Sequence, residues 1–156
     1  MEMISFWERF KYFIIIVFSM VQAEIWRLLG NKGDRVPFQV ADGSAIAVGD
    51  FLELADNMTV TAHAGNVDTP IVGICATEKV ASDGHLFVTG ITNCIFKATI
   101  IAGGSCTIGD PVSLGVAAGE VNLASSLDWE KGWSVGRAYT TGAAGETSLF
   151  RSTFGG

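Results

Sequence analysis

Few side chains in this sequence could do chemistry, and their spacing argues against most reactions. His63 and His85 are the only histidines and stand 22 residues apart; no His-x-x-x-His or Cys-x-x-Cys spacing exists to build a zinc site. Cys75, Cys94 and Cys106 are odd in number, and each lies in or beside an apolar run. There a thiol behaves as a small hydrophobe, and a reducing compartment during folding fits best. Asp50, Glu53 and Asp56 could gather a calcium ion, but they lack the alternating Asp-x-Asp-x-Asp-Gly order. They read instead as a solvated acidic edge that keeps strands from pairing indiscriminately. The run Gly104–Gly109 has the gap of a phosphate loop but continues Asp110-Pro111 where Lys and Ser or Thr are needed; an aspartate there repels phosphate, so the run is a β turn. No Gly-x-Ser-x-Gly elbow is present. Asn57-Met58-Thr59 fits a glycosylation acceptor, which matters only in a secreted protein. The expectation is a protein that is not an enzyme, with no catalytic residue, no cofactor and no metal.

What must position these residues is set by composition. The chain has 156 residues, 17% of them charged, a net charge of −6 and a mean hydropathy of +0.39. That length holds one ordinary domain and an appendage. The apolar content excludes disorder, and the acidity excludes the basic footprint that a nucleic-acid partner requires. The hydropathy is high for a protein that buries nothing against a partner.

The charge is unevenly placed. Residues 1 to 36 hold five bases and four acids, whereas the remainder holds twelve acids and five bases, a net of −7. The first part is helical by pattern: Trp7, Phe10, Phe13, Ile14, Val17, Val21, Ile25 and Leu28 recur at spacings of three and four, with Gly30 and Asn31 as the stop. Its uncharged stretch from Tyr12 to Ala23 covers roughly 18 Å, short of the ~30 Å hydrocarbon core. Val21-Gln22-Ala23 after the apolar run resembles a signal cleavage site, but the charges of residues 1 to 11 cancel where a signal peptide is positive. Residues 1–35 are therefore expected to be a retained amphipathic α-helix that anchors the protein. Trp7, Phe10, Phe13, Phe18 and Trp26 are its candidate interface residues, since buried aromatics dominate interfaces. A membrane is the second choice of partner for this helix.

From residue 36 to 156 the period changes. Runs rich in Val, Ile, Thr and Phe alternate with Gly-Asp, Asp-Gly and Gly-Gly steps, the pattern of an all-β barrel or sandwich. Two pseudo-repeats are visible, about 45–90 and 105–152. Gly49-Asp50 matches Gly109-Asp110, Val72-Gly73 matches Val135-Gly136, and Gly84 matches Gly145, at offsets of 60, 63 and 61. Two copies are expected to close one small barrel with internal pseudo-twofold symmetry. Gly73 and Gly136, inside strand patterns, mark bulges or close backbone approach.

The doubled Gly-Asp-x-Val/Leu unit, the Val-Gly strand after each, the central run ATIIAGGSCTIGDPVSL and the closing Gly-Ala-Ala-Gly-Glu turn resemble the capsid cement, or head decoration, proteins of tailed bacteriophages. The resemblance covers about residues 37 to 153. It implies a β-rich, non-catalytic virion protein, assembled in the host cytoplasm. It also implies a homo-oligomer, a trimer, that sits on the outer capsid surface and clamps neighbouring major capsid proteins. The N-terminal helix departs from the short extended arm usual in that family. The alternative is a membrane-anchored or secreted β-domain surface or filament protein that uses the N-terminal helix as its anchor.

Overall fold

A computed structural model describes residues 23–26, 33–65, 69–117, 119–152 and 154. Thirteen strands and one short helix are described: β1 Glu24–Trp26, β2 Asp34–Gln39, β3 Phe51–Asp56, β4 Thr59–Ala62, β5 Ile71–Cys75, β6 Phe87–Thr92, β7 Ile95–Ile100, β8 Ser105–Cys106, β9 Pro111–Leu114, β10 Glu120–Leu123, α1 Ser126–Glu130, β11 Gly136–Ala138, β12 Gly142–Ala143 and β13 Thr147–Ser152. The all-β class expected from the alternating runs is what the chain adopts. The count of barrels differs from the expectation, because each repeat closes a barrel of its own. The first runs β2-β4-β3-β5-β6; the second runs β7-β10-β9-β11-β13 and closes through β13 on β7. Among the described residues no helix is long and apolar enough to cross a membrane.

The two barrels are wound alike. Each has a single parallel pair, β2 with β4 and β7 with β10, and otherwise antiparallel neighbours in the same order. Leu52 pairs with Gly73 in the first barrel, and Val112 pairs with Gly136 in the second. The turn before each third strand is the same object twice. Gly49 and Gly109 have φ of 94° and 92°, values that glycine adopts without strain. The carboxylates of Asp50 and Asp110 each accept the N–H three residues upstream, of Ala47 and Thr107, at 2.8 Å. The third glycine match is corrected by the backbone. Asp83 caps the N–H of Val80 as Glu146 caps that of Ala143, which places Ser82, at φ 60°, where Gly145 has 77°. Gly84 belongs to a longer loop in the first barrel.

Burial follows the pleat. In β7 the pattern alternates, with Phe96, Ala98 and Ile100 inward. The first barrel is filled by Phe38, Val40, Ile46, Leu52, Val60, Cys75 and Val88. The second is filled by Ile100, Cys106, Val112, Val121, Ala138 and Phe150, and this core runs on into Phe51, Ile71, Ile74 and Ile91 on the outside of the first barrel. Phe51 meets Phe96 edge-on at 5.5 Å between ring centres, and Phe154 packs on both. The barrels are thus held by one continuous apolar cluster. Their interiors differ by a compensating exchange: the inward cross-strand pairs Phe38–Val88 and Val36–Gly90 become Ala98–Ser148 and Phe96–Phe150.

Residues 24–26, expected in the N-terminal helix, are a strand. Glu24, Ile25 and Trp26 pair antiparallel with Lys97, Phe96 and Ile95. The cause lies in β7, whose edge meets β10 only from Thr99 onward. Ile95, Phe96 and Lys97 lie before that pairing begins, and β1 covers their edge. The rest of the expected helix lies outside the described residues. At the other end of the second barrel, α1 opens with Ser125 and Asp128 capping each other's N–H groups.

Candidate functional site

The residues singled out for chemistry do not converge. His63 is buried at the junction of the barrels, with Nδ1 hydrogen-bonded to Glu53 Oε1 at 2.5 Å and Nε2 3.4 Å from the carbonyl of Gly115. Thr69 Oγ1 donates to the same Glu53 oxygen at 2.9 Å. The cluster ties β3 and β4 of the first barrel to the end of β9 in the second. His85 is on an exposed loop, 3.3 Å from Asp83. The three cysteines are buried without a disulfide. Burial pushes the thiols of Cys75, Cys94 and Cys106 up, away from the reactive thiolate.

The expected acidic edge is also dispersed. Asp50 serves its turn, Glu53 serves His63, and Asp56 accepts the N–H of Asn57 at the tip of the β3–β4 hairpin. Among the described residues no three acidic, histidine or cysteine side chains gather to hold a metal. In the phosphate-loop run, the Asp110 carboxylate takes the Thr107 N–H that a phosphate would need. Trp7, Phe10, Phe13 and Phe18 lie outside the described residues. The Trp26 backbone lies in β1 opposite Ile95.

One buried cation was missed by sequence reasoning. Lys79 is 2% exposed, and its Nζ donates to the carbonyls of Asp42 and Val80 and to Asp83 Oδ1, at 3.0, 3.1 and 2.9 Å. That hydrogen bond, followed by the N–H of His85, holds the Asp83 carboxyl well below the usual carboxylate range. The ammonium thus pins the loop that is longer in the first barrel. No motif announces such a lysine.

Two surface features stand out among the described residues. Large apolar side chains stand out on turns and strand ends, with Val48, Val80, Leu86 and Phe87 on the first barrel and Ile108, Val116, Leu123 and Leu127 on the second. Phe87 is 61% exposed, Ile108 67% and Val116 74%, and Leu54, Met58 and Tyr139 are exposed as well. The second surface is a groove of about 510 Å³ on the second barrel, lined by Thr92, Asn93, Arg137, Tyr139, Arg151, Ser152 and Phe154. Arg137 and Arg151 are direct cross-strand partners on its floor. Placing the two repeats in structural register would have exposed this pair, because it stands where the first barrel has Ile74 opposite Ile91.

No protein-family model matches the sequence. No curated protein matches it either. Among solved structures, the chain is similar to the head fiber gp8.5 N base in bacteriophage phi29, at 15% identity and a TM-score of 0.45, over 77% of this chain and 93% of that one.

Proposed function

We propose that this chain is a non-catalytic structural protein of a tailed-phage virion that decorates the outer capsid surface and clamps neighbouring major capsid proteins as a homotrimer. The observation that carries this reading is the division of labour between polar and apolar side chains. The buried polar groups Glu53, His63 and Lys79 and the half-buried Asp50 are spent on holding turns and joining the barrels, while large apolar side chains are turned outward on the tips. A catalytic site needs the reverse, polar groups converging in a concave pocket. A rigid frame with apolar tips suits weak contacts that a symmetric shell multiplies. The sequence resemblance points the same way, and neither an enzymatic substrate nor a nucleic acid is part of the proposal.

The test is sedimentation of phage particles assembled with the intact chain, with residues 1–22 deleted, and with Phe87→Ser and Ile108→Ser together. The intact chain should travel with particles and leave them as a symmetric oligomer. The deletion, which keeps β1, should fold and lose most particle binding if the N-terminal segment is the anchor. The double substitution should weaken binding if the tips make the contact. Full binding by all variants, or an intact chain that sediments with membranes instead of capsids, overturns the reading.

A further inference from the structure

Laid in register, the two barrels differ at one end. The N–H of Gln39 reaches the carbonyl of Met58 as that of Thr99 reaches Gly119, and the N–H of Val40 reaches Leu86 as that of Ile100 reaches Glu146. Gln39 stands opposite Phe87 in its strand pair as Thr99 stands opposite Thr147. Where the second barrel has Gly119, Glu146 and Thr147, the first therefore has Met58, Leu86 and Phe87, exposed by 46%, 52% and 61%. Closing a barrel does not require them, since the second closes without them. Leu86 and Phe87 line a cavity of about 230 Å³ with Gln39 and Val40. This end is remote from the junction, because β4 and β6 run from it toward His63 and Ile91, which meet the second barrel. The charges around it are mostly negative. Asp56 lies in the turn that carries Met58, and Asp42 accepts the N–H of Gly84 in the loop before Leu86. Asp42 and Asp83 share one ammonium, that of the buried Lys79, at 3.7 and 2.9 Å, and His85 stands 3.3 Å from Asp83. A complementary occupant is apolar with basic residues set between.

We infer that this end of the first barrel receives the segment Trp7–Phe13 of a second copy of the chain. The order Trp-Glu-Arg-Phe-Lys-Tyr-Phe sets Arg9 and Lys11 among four aromatic residues. Its rings match the bare Met58, Leu86 and Phe87, and its cations match Asp42 and Asp56. The whole chain is divided in the same sense, with +1 over residues 1 to 36 and −7 over the rest. Ala23, 3% exposed in the core cluster that joins the barrels, is the fixed point from which the segment extends. Phe13 precedes it by ten residues, which span at most ~36 Å, enough to reach a neighbouring copy. The segment starts from β1 on the second barrel, and the receiving end crowns the first, so copies join head to tail. Such a contact between unlike faces closes into a ring when its rotation allows. The inference deepens the homotrimer of the proposed function and rests on that reading only for the count of three.

The experiment is sedimentation velocity of the isolated full chain over a concentration series, with no particle present. The intact chain should associate. Phe87→Ser at the receiving end, or Phe10→Ser with Phe13→Ser in the segment, should each weaken association about thirtyfold, as expected for loss of a central aromatic anchor. Ile108→Ser, on the second barrel, should leave it unchanged. Mixing the two defective chains should restore dimers and nothing larger, because one intact segment then meets one intact receiving end. Lys11→Glu should weaken association about fivefold and Asp56→Lys should recover part of that loss, with both effects larger at low salt than at about 0.15 M. Thermal melts check that the variants fold; if Phe87→Ser melts low, Met58→Ser takes its place. Association that survives both Phe87→Ser and Met58→Ser would put the segments on one another, and mixtures that stay monomeric would put each segment on its own chain. Either result, or an intact chain that stays monomeric, overturns the inference. Loss of capsid binding with these results intact would overturn the virion reading alone.

Discussion

The exchange of bulk between the two barrels can be tested as a thermodynamic cycle. In the first barrel Phe38 projects inward, and a Cβ added to Gly90 would lie 2.6 and 2.9 Å from its ring atoms and 3.0 Å from a Leu52 methyl. Ordinary carbon contacts are ~3.5–4.0 Å, so Gly90→Ala must displace the ring, at a cost of about 1–3 kcal/mol for overpacking. Phe38→Ala alone should cost about 3–5 kcal/mol, as loss of a buried ring does elsewhere. In the Phe38→Ala background the new methyl enters vacated space and regains about 0.8 kcal/mol, the value of one buried carbon. Gly90→Ala should therefore change sign between the two backgrounds, a coupling of about 2 kcal/mol or more. Independent sites add to within ~0.5 kcal/mol. Urea denaturation followed by circular dichroism measures all four proteins. The complete exchange, Phe38→Ala with Gly90→Phe, imitates Ala98 and Phe150 of the second barrel and should be more stable than Phe38→Ala alone. Additive costs would refute the argument, because they would mean that Phe38 does not occupy the space the glycine leaves.

Three further outcomes follow from particular contacts. A Cβ on Gly136 would overlap the backbone carbonyl of Arg151, whereas one on Gly73 would lie 3.2 Å from that of Ile91; Gly136→Ala should cost more than Gly73→Ala, by about 1 kcal/mol or more in the same denaturation assay. Lys79→Met should lower the melting temperature at neutral pH and flatten its dependence on acid. Lys79 depresses the Asp83 carboxyl in the folded state, so the unfolded chain binds the proton first. The stabilisation is therefore whole above the ordinary carboxylate pKa of ~3.9 and is lost as pH falls toward the folded value. Equal slopes in acid for both proteins would remove Lys79 as the cause. Pro37→Thr should promote concentration-dependent association, seen as larger species in sedimentation velocity. The N–H of Gln39 reaches the carbonyl of Met58 in the β3–β4 turn and that of Val40 reaches Leu86 on the β6 side; position 37 faces the same side as Gln39, where β4 pairs with β2 only at Gln39, and a proline there offers no donor.

Much of the strand pattern was legible. The runs around Phe51–Leu54, Thr59–Ala62, Ile71–Cys75, Ile95–Thr99 and Thr147–Ser152 announce themselves by β-branched content between glycine turns, and each is a strand. Gly49-Asp50 and Gly109-Asp110 were readable because a positive φ and a side-chain-capped turn are local requirements. Barrel closure was not, since it is decided by β2 meeting β6 and β7 meeting β13, pairings that link residues 48 to 58 positions apart. Residues 24–26 misled for a related reason. Ile25 continues a helical spacing from the apolar run before it, while the vacancy that draws it into a strand belongs to β7. The arginine groove has no motif at all; it exists only as a departure of the second barrel from the first.

Those departures share a physical consequence. One barrel stacks on the other through unlike faces, the outer row of the first against the Phe96 and Phe154 end of the second. A contact between unlike faces on similar units is open-ended: if the second barrel carried the same apolar row, it could receive another barrel, and stacking would continue into a fibre. Replacing Phe51, Ile74 and Ile91 by Pro111, Arg137 and Arg151 stops the series after one step, since two guanidiniums resist burial against an apolar end. The sheet edges are treated in the same spirit. Lys97 of β7 is covered by Glu24 of β1, while its counterpart Pro37 in β2 presents no N–H. Each barrel thus closes one route to growth by side-chain charge, strand cover or proline.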